Sequence, residues 1–228
     1  MDKQHSALLK KTVLFTDIGR QEYTALIECL SPQVKHFSKG EIILLTGDRT
    51  QYLGVILSGS ANAYLEHADS SRTLMASLTP GRMFGEILLS TRTHQSPVTV
   101  YADTDVSAAF LEYQRVFSVC ASACIAHSVF LQNLLKVIAD KYFLLFDRIN
   151  ILRRKTIRSR ILAYLYTLSS NGKQPVVTLP FSKTMLSEYL LVNRSALSKE
   201  LRKMQEDRLL EISGRRVKLI FLQSTISP

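Results

Sequence analysis

The chain has 228 residues, 46% hydrophobic and 21% charged, the balance of a folded protein with room for two small domains rather than of a disordered one. No apolar run approaches the roughly 18 residues of a membrane span. The start, MDKQHSALLKK, lacks the layout of a secretory signal, and three cysteines (Cys29, Cys120, Cys124) do not make a disulfide framework within one chain, so a cytoplasmic protein with no membrane partner is expected. The formal charge of +10 is confined to one end: residues 1–152 carry 14 basic and 14 acidic side chains, residues 153–228 carry 15 and 5. A neutral front joined to a basic end implies a polyanion partner held by the end alone.

Taken in order, residues 17–30 (DIGRQEYTALIECL) predict a helix capped by Asp17, with Tyr23, Leu26, Ile27 and Leu30 on one face. From Lys35 to Leu111 the texture becomes short apolar stretches broken by Gly47, Gly59 and Gly81, with turn signals roughly every 8–12 residues, the pattern of an all-β barrel or sandwich. After Tyr113 the chain turns helical. Leu131, Ile138, Leu145 and Leu152 form one apolar series and Leu135, Tyr142 and Ile149 a second, together an a/d heptad over about three repeats. Phe130, Leu134, Val137 and Leu144 supply a separate face for packing on the barrel. A helix apolar on two sides has two surfaces to cover, so the a/d seam is expected to join a second copy.

Arg153, Arg154, Lys155, Arg158 and Arg160 then mark a boundary, followed by a helix (SRILAYLYTLSS) stopped at Asn171-Gly172 and a short strand, VVTL. The next stretch, SKTMLSEYLLVNRSALSKELRKMQE, carries the strongest functional signal. Ser182 caps a helix with apolar Met185, Leu186, Tyr189 and Leu190, which stops at Leu191-Val192. Asn193 caps a second helix with Leu197, Leu201 and Met204 on one face and Arg194, Ser195, Ser198, Lys199 and Arg202 on the other. Short helices, a tight turn and a small, basic outer face describe a helix-turn-helix whose second helix enters a major groove, where Arg and Lys donate to guanine O6 and N7. RLLEISGRRVKLIF adds a hairpin wing turning at Ser213-Gly214, with Arg215 and Arg216 at its tip.

The order roll, long helix, winged helix-turn-helix resembles the Crp/Fnr (cyclic-AMP receptor protein/fumarate-nitrate regulator) family. FSKGEIILLTGD, YLGVILSGSANAYL and LTPGRMFGEI resemble its β-roll, and VNRSALSKELRKM with DRLLEI its recognition helix and wing. The resemblance implies an α+β architecture: a double-stranded, jelly-roll-like β-roll effector domain over 1–125, a dimerisation helix over 126–152 and a winged helix-turn-helix over 153–228. It implies a homodimeric transcriptional regulator on palindromic double-stranded DNA, with RNA polymerase as a further candidate partner. It places Arg194, Ser195 and Lys199 among base-reading side chains and Ser182 on phosphate. The remaining reading is a ligand-sensing module whose basic end binds RNA or an acidic protein; duplex competition at fixed salt separates the two.

In cyclic-nucleotide-binding relatives, a Gly-Glu pair is followed by an Arg and a Ser or Thr that hold the cyclic phosphate. In MFGEILLSTRTHQSPVTV, Gly85 and Glu86 match the pair, but the Arg and Ser positions hold Ser96 and Pro97. Serine brings no charge and proline no N–H, so cyclic AMP and cyclic GMP are not expected to bind. Three possibilities stay open: an unoccupied barrel turn, another effector, or a cyclic nucleotide held by Arg92. No cofactor or metal is expected. The five histidines (His5, His36, His67, His94, His127) form no His-x-His, three cysteines do not complete a four-thiolate cluster, and no GxSxG, HExxH or Walker loop occurs, so catalysis is not expected. Cys120 and Cys124 are expected to be small buried side chains, with a redox thiol as the alternative.

Overall fold

A computed structural model describes residues 1–86, 88, 94–118, 125–180 and 182–220. Contacts divide the chain into two units, Met1–Lys141 and Tyr142–Pro228.

The first unit opens with α1 (Lys3–Lys10), a 3-10 turn (Val13–Phe15) and α2 (Arg20–Leu30). The expected Asp17 cap is displaced: Asp17 sits at φ +63° and Gly19 is the N-cap residue, its N–H donated to the Glu22 carboxylate at 2.9 Å. The apolar face of α2 is as expected, with Tyr23, Leu26 and Leu30 buried. Eight strands follow: β1 (Gln33–Phe37), β2 (Ile42–Leu44), β3 (Tyr52–Ser58), β4 (Ala61–Glu66), β5 (Arg72–Leu78), β6 (Met83–Phe84), β7 (Thr99–Ala102) and β8 (Val106–Glu112). They form two antiparallel four-stranded sheets, β1-β8-β3-β6 and β2-β7-β4-β5, the two layers of a β-roll.

The first sheet is covered on both faces, which is why β3 and β8 read as near-continuous apolar runs. Leu53, Val55 and Leu57 of β3, with Ala109 and Leu111 of β8, join the helices in one cluster. The alternate residues Ile56, Ala108 and Phe110 join Ala61, Ala63, Val100 and Ala102 in a second cluster inside the roll. Gly54 makes this possible, because a Cβ there would lie 2.0 Å from the Phe84 ring.

After α3 (Tyr113–Phe117) comes α4 (Ile125–Leu152), unbroken by proline. Its early turns bury Ala126, Phe130 and Leu134, spaced i, i+4, i+8, in the helix-side cluster. Asn133 anchors it, donating to the Leu14 and Thr16 carbonyls at 3.2 and 2.8 Å.

The second unit contains α5 (Ile157–Leu168), β9 (Val176–Thr178), α6 (Lys183–Tyr189), α7 (Arg194–Glu206), β10 (Leu210–Ser213) and β11 (Arg216–Leu219). The strands pair antiparallel in the order β10-β11-β9, so the wing is three-stranded, completed by VVT from before the helix pair. Leu186, Leu190, Leu197, Leu201 and Met204 are buried beneath the helices, with Val217 and Leu219 from the wing. The hydroxyl of Ser182 accepts the Met185 N–H at 3.2 Å, and Asn193 Oδ1 accepts the Ser195 N–H at 2.9 Å, so both helices start at the residues whose side chains cap them.

Candidate functional site

The outer face of α7 is open. Arg194, Ser195, Ser198, Lys199 and Arg202 are all exposed, opposite the buried Leu197, Leu201 and Met204. Two arginines of the basic end, with Arg148 of α4, fix the position of that face. Arg158, on α5, donates to Glu200 Oε1 at 2.6 Å and pairs with Asp207 Oδ2 at 2.7 Å, bracketing the second half of α7. Those two carboxylates hold its guanidinium above its ordinary pKa. Arg160 donates to the Leu190 and Leu191 carbonyls at 3.2 and 3.3 Å. Leu191 stands at φ +51°, a left-handed geometry unfavourable for leucine, and Arg160 braces the turn there. Arg148, buried near the end of α4, lies over the Tyr189 ring at 4.4 Å and donates to the Tyr189 carbonyl, while burial lowers its pKa.

At the wing, Arg216 is exposed, but Arg215 is not loose at the tip. Its Nε donates to the Leu179 carbonyl at 2.9 Å and its Nη2 to the Pro180 carbonyl, steadying the two residues that follow β9. In the sequence Arg158 and Arg160 mark a boundary and count toward the basic excess, and Arg215 is assigned to DNA binding. Apart from the Arg154 carbonyl, which takes the Arg160 Nε–H, their carboxylate and carbonyl partners lie 30–49 residues away in sequence, and no local signal reveals them. A shallow groove of about 530 Å³ beside α7 is lined by Lys183, Ser198, Arg202, Gln205 and Glu206.

In the roll, Gly85 takes φ +79° and its Cβ would meet the Tyr52 carbonyl at 2.9 Å, which accounts for glycine there. The Tyr113 hydroxyl donates to the Gly85 carbonyl at 2.6 Å; burial, with the Glu86 charge beside it, holds this phenol well above its ordinary pKa. Glu86 is only 4% exposed, and its Oε1 is paired at 2.6 Å with Lys141 of α4, whose ammonium also donates to the Met83 carbonyl at 2.7 Å. The glutamate of the Gly-Glu pair is therefore already engaged by a residue 55 positions downstream that sequence reading did not single out. Ser96 is buried and turned onto its own loop, its hydroxyl donating to the Val98 carbonyl at 2.7 Å, and Pro97 is exposed. Arg92, Cys120 and Cys124 lie outside the described residues.

Of the expected seam on α4, Leu135, Tyr142, Leu145 and Ile149 are exposed, Tyr142 by 64%. Leu131 and Ile138 instead pack partly against the helix-side cluster, and Leu152 is half-buried. Leu144, expected to face the barrel, is exposed, as are Phe143 and Phe146. A straight helix drifts about 20° per heptad against a strict seven-residue repeat, so one stripe does not keep one environment along 28 residues.

A β-roll, a long helix and a winged helix-turn-helix with a basic outer face make this a DNA-binding transcription regulator rather than an enzyme. A cyclic nucleotide-binding domain model matches residues 34–123 and a Crp-like helix-turn-helix domain model matches residues 159–223, and the chain belongs to the Crp/Fnr family. Among solved structures it is similar to a variant of CooA from Carboxydothermus hydrogenoformans, at 20% identity, covering 96% of this chain and 96% of that one, with a TM-score of 0.73. It is also similar to CLP from Xanthomonas campestris, described as a c-di-GMP responsive global regulator (20% identity, 86% and 98% covered, TM-score 0.66). FixK2 from Bradyrhizobium japonicum is a third (19% identity, 86% and 98% covered, TM-score 0.63). These likenesses establish the fold. No curated protein matches the chain in sequence.

Proposed function

We propose that the protein is a homodimeric, sequence-specific regulator that binds palindromic duplex DNA through α7 and does not answer to cyclic AMP or cyclic GMP. The carrying observation is the outer face of α7: five small or basic side chains stand exposed on a helix pinned from α5 by Arg158. Phosphate contacts from Ser182 and Arg216 would set the register, and Arg194, Ser195 and Lys199 would read base edges. Exposed Leu135, Tyr142, Leu145 and Ile149 support a two-fold pairing of α4 that sets two recognition helices about one DNA turn apart. No helix among the described residues is long and apolar enough to cross a membrane, which fits a regulator working in the cytoplasm.

The effector reading rests on the pocket turn. Ser96 faces its own loop, Pro97 has no N–H to donate, and Glu86 is paired with Lys141. Losing a charge-assisted phosphate contact removes a strong class of anchor from any cyclic nucleotide. Calorimetry with cyclic AMP, cyclic GMP and cyclic di-GMP tests this. The expected result is no heat from cyclic AMP or cyclic GMP at tens of micromolar; micromolar binding lost in Arg92→Ala overturns it. Duplex selection from a random library tests the DNA reading, with an inverted repeat as the expected product.

A further inference from the structure

The second unit carries a groove of about 430 Å³ between the end of α4 and α5, away from the face of α7. Its floor is apolar, made by buried Ile151 with half-buried Leu162 and Ala163, and Tyr166 stands exposed at its rim. Asp147 and Arg154 also line it, one on α4 and the other just past its last turn. Seven residues are about two helical turns, so the two charges fall on one line roughly 10 Å apart. Neither forms an ion pair with another described residue. This line is not the seam. Phe143, Asp147, Asn150 and Arg154 fall roughly 140° round the helix from Tyr142, Leu145 and Ile149, at about 100° per residue. Phe143 is 62% exposed, and pairing through the seam leaves it uncovered.

Two copies laid antiparallel along this line satisfy both of its charges at once. In a two-fold contact residue i meets j and j meets i. An axis beside Asn150 sets Asp147 of each copy against Arg154 of the other, twice over. Asn150 carries a donor and an acceptor on one amide, so it pairs with its own copy near the axis. Phe143 and Tyr166 bring the apolar bulk that a groove floored by Ile151, Leu162 and Ala163 receives. We propose that this groove is a second self-association surface, through which two seam dimers join antiparallel by reciprocal Asp147–Arg154 pairs. The occupant is another copy of this chain because the charge pattern complements itself. The inference goes beyond DNA binding and depends on the seam only for the size of the starting species.

Sedimentation velocity of the full-length protein tests it. The wild-type protein should run as dimers at roughly 1 μM and gain tetramers at roughly 100 μM, since so small a contact belongs to the weak, transient class. Asp147→Arg and Arg154→Asp should each abolish that step when run alone, because each sets like charges together twice. An equimolar mixture of the two variants should restore it, one being basic at both positions and the other acidic at both. The double substitution Asp147→Arg with Arg154→Asp should restore it within one chain. Should the seam reading fail, the step becomes monomer to dimer with the same charge pattern, so the two failures are distinguishable. A wild-type protein with no concentration-dependent step, single variants that keep it, or a mixture and a double variant that both lack it overturns the inference.

Discussion

Lys141→Ala tests the junction between the pocket turn and the long helix. The wild-type carboxylate of Glu86 is 4% exposed and holds one strong partner, the Lys141 ammonium at 2.6 Å, with no partner at Oε2 among the described residues. Removing the lysine leaves a buried carboxylate without its counter-ion, a change that costs about 3–5 kcal/mol in fully buried pairs. The Lys141 side chain is 25% exposed, so water relaxes part of that penalty and about 2–3 kcal/mol is the expected loss. For a unit of this size that corresponds to a melting point lower by about 5–10 °C in scanning calorimetry. Lys141→Met with Glu86→Gln removes both charges and should recover most of the loss, giving a coupling energy of about 1–2 kcal/mol. A Lys141→Ala protein that melts within about 1 °C of wild type, or a coupling energy near zero, refutes the buried-pair account.

Leu145→Glu places an unpaired charge in the exposed stripe of α4 and should give monomers; an intact dimer in sedimentation would reassign the interface. Arg216→Ala should weaken all duplexes alike and flatten the salt dependence of binding, whereas Arg215→Ala should in addition lower the melting point of the second unit, because its guanidinium holds the Leu179 and Pro180 carbonyls. Hydrogen bonds from Tyr101 and Thr99 hold Glu66 below the usual carboxylate range. A depressed folded pKa contributes stability that is present above the unfolded value and lost as pH falls through the folded one. Tyr101→Phe should therefore raise the Glu66 midpoint in a carboxyl-carbon NMR titration and lessen the loss of stability on acidification; an unchanged midpoint would remove Tyr101 as the cause.

What was legible in the sequence is what short-range physics determines. Ser182 and Asn193 announce helix starts because a cap acts within three residues, and Leu197, Leu201 and Met204 announce the buried face of α7 by spacing alone. The alternating clusters around β3 and β8 were readable as strands, but not their pairing, since β1 and β8 join residues more than 60 positions apart. Long-range electrostatics was equally hidden. Arg158 meets Glu200 and Lys141 meets Glu86 only after folding, so charge counting could not separate arginines that brace α7 from those left open to a partner. The Asp17 cap failed for a local reason: a residue in left-handed geometry two positions upstream moves the helix start to Gly19 and Arg20.

Sequence-specific duplex recognition by α7 is the central claim, and fluorescence anisotropy with an enriched duplex and its scrambled counterpart, at one fixed physiological salt concentration, tests it most directly. The account predicts that the enriched duplex binds at least roughly a thousandfold more tightly, and that Arg194→Ala and Lys199→Ala each narrow the ratio by roughly tenfold or more while changing affinity for the scrambled duplex much less. Equal affinity for the two duplexes, or a ratio that neither substitution alters, would contradict it.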